Sequence, residues 1–208
     1  MRKPKERIPL EKKHSLMGQF GGSDEDLSLD FENTEVQEDK YARSLGLLFI
    51  SFSYVEDAVD SELAKLINES SYEPGFRITK YLSFRDKINL LQDEYSALIR
   101  GICDKDKWPK LLDELKTIHS KLAELSEFRN RAAHANWSSL DSSGFVISKV
   151  VENREEYGMN LEKIKMTPGV LIKFIRQNHS ISNKLDPFTE KIWETHRREE
   201  RKRYKKQK

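Results

Sequence analysis

Among the ionisable side chains of this chain, one group is spaced for chemistry: Arg129-Asn130-Arg131-Ala132-Ala133-His134. The run closes a long stretch with helical periodicity. At about 100° per residue, Asn130 and His134 fall on one face of a helix, and Arg131 and His134 are also neighbours. Arg129 stands about 140° from His134, so a single helix does not readily aim both at one phosphate. Two copies related by a two-fold axis could bring a guanidinium and an imidazole into a shared cleft from each side, which favours a homodimer.

These residue types suit phosphodiester chemistry on RNA, which carries its own nucleophile in the 2′-hydroxyl. Cleavage then needs a base, an acid for the leaving 5′-oxygen and positive charge on the phosphate. Histidine exchanges protons near neutral pH, and arginine forks onto phosphate oxygens while staying charged. Asn130 could fix the imidazole tautomer or hold a phosphate oxygen. No metal or cofactor is required. The competing reading is a solvated helix end whose cationic groups sit beside the C-terminal dipole.

The run matches the RNxxxH pattern of the HEPN superfamily (higher eukaryotes and prokaryotes nucleotide-binding domains), which the chain resembles over roughly residues 38 to 186. Phe52-Ser53-Tyr54-Val55-Glu56-Asp57-Ala58-Val59, the segment Lys87 to Leu91 and Trp137 add to the resemblance. It implies a dimerising helical bundle and, in many members, a metal-independent endoribonuclease that leaves 2′,3′-cyclic phosphate ends. Carried over, Arg129 would bind the scissile phosphate, Asn130 would organise the site and His134 would be the acid/base group. Such domains recur as toxins and in antiviral defence, so an antitoxin or regulatory partner is a further expectation. Other members bind nucleotides or RNA without cutting, and a bare dimerisation scaffold is a third possibility.

Around this run the assignments are looser. Glu56 falls on an apolar seam and is expected to hold Arg129 or Asn130, unless it is a rim carboxylate facing water. Arg131 is either a second phosphate contact or an exposed helix charge. Trp137 and Tyr54 read as core or interface aromatics. His119 receives no role. Cys103 is the only cysteine, which excludes an internal disulfide and a thiolate-rich metal site and fits a reducing cytoplasm. It has no neighbouring histidine to make it a nucleophile.

The elements that must position the run follow from periodicity. The 208 residues allow one domain with tails, and the net charge of +2 gives no global pull toward nucleic acid. Residues 1–36 are expected to be a disordered leader, basic and then acidic. A helical domain is expected over 37–195. Its first helix carries Tyr41, Leu45, Leu48, Phe52, Val55, Val59 and Leu66, with Leu47, Phe49, Ile50 and Leu63 widening the stripe. Pro74 and Gly75 mark a loop. A second helix is capped at Ser83 and stops at Gly101; a third runs from about Trp108 to Ala135.

Alternation then predicts a β-hairpin at about 144–166, with strands Phe145–Val151 and Met159–Met166. Thr167-Pro168 opens a fourth helix that Pro187 kinks or restarts. Residues 196–208 form a basic C-terminal tail, read as a solvated helix end or as an RNA contact. The expected fold is therefore mainly α, a HEPN-like bundle of four to five helices with a small β-hairpin between the third and fourth. No apolar stretch is long enough for a signal peptide or a membrane span, so the chain is expected in the cytoplasm, with no membrane partner.

Overall fold

The structure, a computed structural model, describes residues 10–15, 31–68, 71–102, 105–153 and 158–206. Among the described residues the fold is mainly α, with five helices and an antiparallel hairpin between the fourth and fifth. In chain order the elements are β1 (Leu10–Ser15), α1 (Phe31–Ile67), α2 (Glu73–Thr79), α3 (Phe84–Gly101), α4 (Trp108–His134), β2 (Phe145–Asn153), β3 (Gly158–Lys165) and α5 (Pro168–Lys206). The chain divides into two compact units, Met1–Leu48 with Arg129–Phe174 and Phe49–Phe128 with Ile175–Lys208.

The second unit is helical. The α4 stripe expected from alternating four- and three-residue steps is buried throughout: Leu111, Leu115, Ile118, Leu122 and Leu125 are each 5% exposed or less. Burial of one such side chain contributes roughly 1.5–3 kcal/mol, so this stripe alone fixes which side of α4 faces inward. From α1 the buried line is Phe52, Val55, Val59 and Leu63; from α3 it is Ile88, Leu91, Tyr95 and Ile99. Ser83 caps α3, its hydroxyl accepting the Asp86 amide at 3.2 Å.

Several expectations are corrected here. Leu47, Phe49 and Ile50 do not widen the core stripe of α1; they are exposed at 45%, 38% and 53%. They lie off the three- and four-residue line that the buried residues follow, so apolar type alone misplaced them. Pro74-Gly75 is not a loop but the first turn of α2, where proline's missing N–H costs nothing. Gly75 is buried against α1, and a Cβ there would stand 2.4 Å from the Ala64 Cα. This added helix shifts the hairpin from between the third and fourth helices to between the fourth and fifth.

Pro187 does not restart the helix: α5 continues through it to Lys206 and takes in most of the expected basic tail. Pro187 is exposed, so water can satisfy the carbonyl its missing N–H leaves unpaired. Among the described residues the sheet has three strands, in the order β1-β3-β2. β1 comes from the expected leader and pairs antiparallel with β3, Leu10 opposite Ile164 and Ser15 opposite Asn160. Helix α1 likewise starts at Phe31, inside that leader. The rest of the leader and Cys103 lie outside the described residues. Among those described, no helix is long and apolar enough to cross a membrane.

Candidate functional site

The Arg129–His134 run forms the last turns of α4 and belongs to the first unit. Its facing is set by Ala132, buried at 1%, which anchors the inward side. Asn130 and His134 stand about 200° from Ala132 around the axis, and both are exposed. Arg129 and Arg131 lie on the flanks and are half-buried. The exposed pair is thus a consequence of helix geometry once Ala132 packs inward.

The two arginines differ in surroundings. Arg131 donates from Nη2 to the Ser148 hydroxyl at 3.1 Å and lies 3.8 Å from the Glu162 carboxylate, with its side chain only 15% exposed. Its guanidinium is committed to the hairpin, which the sequence reading did not foresee. Arg129 also takes part in interactions. Glu56, expected to hold Arg129 or Asn130, is half-buried and belongs to the second unit.

A set of local bonds closes the end of α4. The indole N–H of Trp137 donates to the Ala132 carbonyl at 2.9 Å, satisfying one of the carbonyls a helix end leaves open. The Asn136 amide donates to the Ile147 carbonyl at 2.8 Å, and the Ile147 amide donates back to the Ser139 hydroxyl at 2.8 Å. Trp137 also packs on Tyr41 from α1, ring centroids 6.2 Å apart. Burial, and then the nearby Asp141 carboxylate, raise the Tyr41 hydroxyl above the ordinary tyrosine pKa.

The chain enters β2 through a turn built on Asp141, whose Oδ1 accepts the amides of Ser143 and Phe145, both at 3.0 Å. Gly144 sits at φ 81°, in the left-handed region, with Thr167 and Tyr41 where a Cβ would project. β2 and β3 then pair antiparallel with a register shift: Ile147 faces Lys163 and Lys149 faces Glu162. Ser148 is the extra residue, a β-bulge. A signal for it exists in the sequence. Val146-Ile147 and Val150-Val151 break the strict alternation on either side of Ser148, a phase slip that a single extra residue explains.

The histidines His119 and His196 have partners elsewhere. His119 Nε2 meets Asn89 Oδ1 at 3.1 Å, and His196 Nε2 donates to the Leu98 carbonyl at 2.8 Å, near the end of α3. Among the described residues, no group of three His, Cys, Asp or Glu side chains could hold a metal ion. Comparison with protein families, with curated proteins and with solved structures finds no match to this chain.

Proposed function

We propose that the chain is a metal-independent endoribonuclease of HEPN type, working as a homodimer. The observation that carries this reading is the exposed Asn130–His134 pair, four residues apart at the end of α4 and flanked by Arg129, in an RNxxxH run. An imidazole open to solvent can meet a substrate; one sealed in the core could not.

In the proposed reaction the RNA 2′-oxygen attacks the adjacent phosphorus and gives its proton to an imidazole. The bond from phosphorus to the 5′-oxygen breaks, and that oxygen takes a proton from an imidazolium. The products are a 2′,3′-cyclic phosphate and a free 5′-hydroxyl, so no water or metal enters the cleavage step. Arg129 stabilises the charge that builds on the phosphoryl oxygens, and Asn130 orients the imidazole. In a two-fold dimer the two copies of His134 and Arg129 line one cleft. The biological setting we propose is a toxin or antiviral-defence effector restrained by an antitoxin or regulatory partner.

The test is incubation of purified protein with mixed RNA in excess EDTA. Cleavage is expected to persist in the chelator and to leave cyclic phosphate ends. His134→Ala should lower the rate about 10²–10⁴-fold, the range of general acid–base catalysis. Cleavage unchanged in His134→Ala, or abolished by EDTA, overturns the reading. RNA retained but never cut would make the domain a binding module instead.

A further inference from the structure

The hairpin's tie to α4 is more specific than packing requires. A regular antiparallel pair would carry residue 148 in the ladder opposite a β3 residue. Instead the bulge takes Ser148 out of register, and its hydroxyl has two partners. It accepts Arg131 Nη2 at 3.1 Å and donates to the Glu162 carbonyl at 3.1 Å. The single hydroxyl proton is used once and one of the oxygen's two lone pairs accepts, so the two bonds do not compete. The Glu162 carboxylate, 3.8 Å from the same guanidinium, adds a weaker attraction.

What this holds is the last turn of a helix. His134 is the final residue of α4. Helix ends fray because their last carbonyls lack intrahelical partners. Here three ties from β2 and the turn before it oppose fraying: Arg131 to Ser148, Asn136 to Ile147, and Ile147 to Ser139. Arg131 lies three residues from His134, on the adjoining surface of the same turn. A guanidinium that is mostly covered and faces a carboxylate is poorly placed to take a phosphate as well.

We infer that the bulge at Ser148 makes the hairpin the positioning element of the candidate site, with Arg131 a positioning residue that orders His134 and not a phosphate ligand. In its catalytic consequence this rests on the proposed ribonuclease reading; in its structural consequence it does not.

The experiment compares Arg131→Met, Ser148→Ala, their double variant and Ser148→Thr, which keeps the hydroxyl. The first readout is the His134 ring cross-peak in a heteronuclear NMR spectrum, identified by its loss in His134→Gln. The second is cleavage of a fluorescein-labelled single-stranded RNA in EDTA. Arg131→Met and Ser148→Ala should each move or broaden the His134 cross-peak. Each should lower kcat about tenfold, the scale of a small misplacement of a reacting group, with KM changed less than about twofold. The double variant should be no worse than the poorer single one, because both remove the same tie. Ser148→Thr should restore the wild-type values.

A raised KM in Arg131→Met with an unmoved cross-peak would make Arg131 a phosphate contact and overturn the inference. So would losses that multiply in the double variant. If the wild-type protein cuts no RNA, the ribonuclease reading falls and the cross-peak alone decides the positioning role: unmoved in both single variants, the inference fails.

Discussion

The cluster around Glu62 in the helical second unit and the end of α4 in the first treat polar side chains in opposite ways. In the second unit, Glu62, Tyr95 and Thr189 are buried at 2%, 0% and 2%. Each is satisfied by the others. Lys65 donates to Glu62 Oε1 at 2.8 Å and to Asp186 at 2.6 Å. Thr189 donates to Glu62 Oε2, which uses its only hydroxyl proton. The Tyr95 hydroxyl, 2.6 Å from Thr189 Oγ1, must then be the donor of that pair. The result is a closed chain, Tyr95 to Thr189 to Glu62 to Lys65 to Asp186, that ties α1, α3 and α5 with nothing left over. At the end of α4, Asn130 and His134 are exposed to solvent. A saturated network stabilises and fixes alignment; accessible groups leave bonding capacity for a substrate. The comparison therefore gives the first a structural role and leaves the second the bonding capacity that the proposed function needs, although the first holds more ionisable groups.

The largest expected effect that tests this assignment is on Glu62. Glu62→Ala removes the acceptor shared by Lys65 and Thr189 and leaves the buried Thr189 hydroxyl only the Leu185 carbonyl at 3.2 Å, while Tyr95 still donates to Thr189. Breaking a buried pair typically costs about 3–5 kcal/mol; Lys65 keeps Asp186, so a loss of about 3 kcal/mol is expected from urea titration. Glu62→Gln keeps an acceptor and should cost less. In that variant, RNA cleavage per folded molecule should match wild type. Loss of cleavage at unchanged stability would move the buried cluster from structure to chemistry and undo the comparison.

Gly144 probes the other region. Alanine there would need a left-handed φ and would bring its Cβ to 2.5 Å from Thr167 Cγ2. The conformational and steric penalties together should cost about 2 kcal/mol. Because Gly144 opens the strand that holds Arg131, Gly144→Ala should also lower RNA cleavage beyond its effect on folding. A variant that is destabilised but cuts at full rate per folded molecule would show that the hairpin does not govern the helix end.

The two regions were unequally legible in the sequence. Long periodic segments reported themselves: the α4 stripe, the Ser83 cap and the Thr167-Pro168 start all stand where local chemistry put them. The Thr167 hydroxyl accepts the Val170 amide at 3.4 Å, as a cap should. The candidate run was legible because its residues are adjacent along one helix. The Glu62 cluster was not, since Glu62, Tyr95 and Thr189 are far apart in sequence and none is unusual by itself. Short α2 was hidden because Pro74-Gly75 satisfies a turn and a helix start equally well until the contact with Ala64 decides. The Arg131–Ser148 tie was obscured for a different reason. It depends on a one-residue register slip, and alternation read loosely over Phe145–Val151 averages that slip away.

The smallest effect separates the regions by pH. Burial, then the Glu62 carboxylate, raise the Tyr95 hydroxyl above the ordinary tyrosine value of 10.0. For Lys65, burial pulls the ammonium down, but hydrogen bonds to Asp186 and Glu62 outweigh it and leave the pKa above the ordinary 10.5. Both groups therefore hold their protons in the folded chain at a pH where the unfolded chain has begun to release them. Below about pH 10 both states are protonated at these positions and the stabilisation is fully present. As pH rises through 10 to 11 the unfolded state loses its protons first, the folded state binds more, and stability must fall. The slope is at most about 1.4 kcal/mol per pH unit for each group. Urea midpoints measured from pH 8 to pH 11 should stay level and then drop, and Tyr95→Phe should flatten the drop. Tyr41, raised by burial and by Asp141, contributes in the same direction from the first unit. If Tyr41→Phe flattened the drop as much as Tyr95→Phe did, the closed network of the second unit would hold no special share of the alkaline stability. The contrast with the accessible end of α4 would then rest on exposure alone.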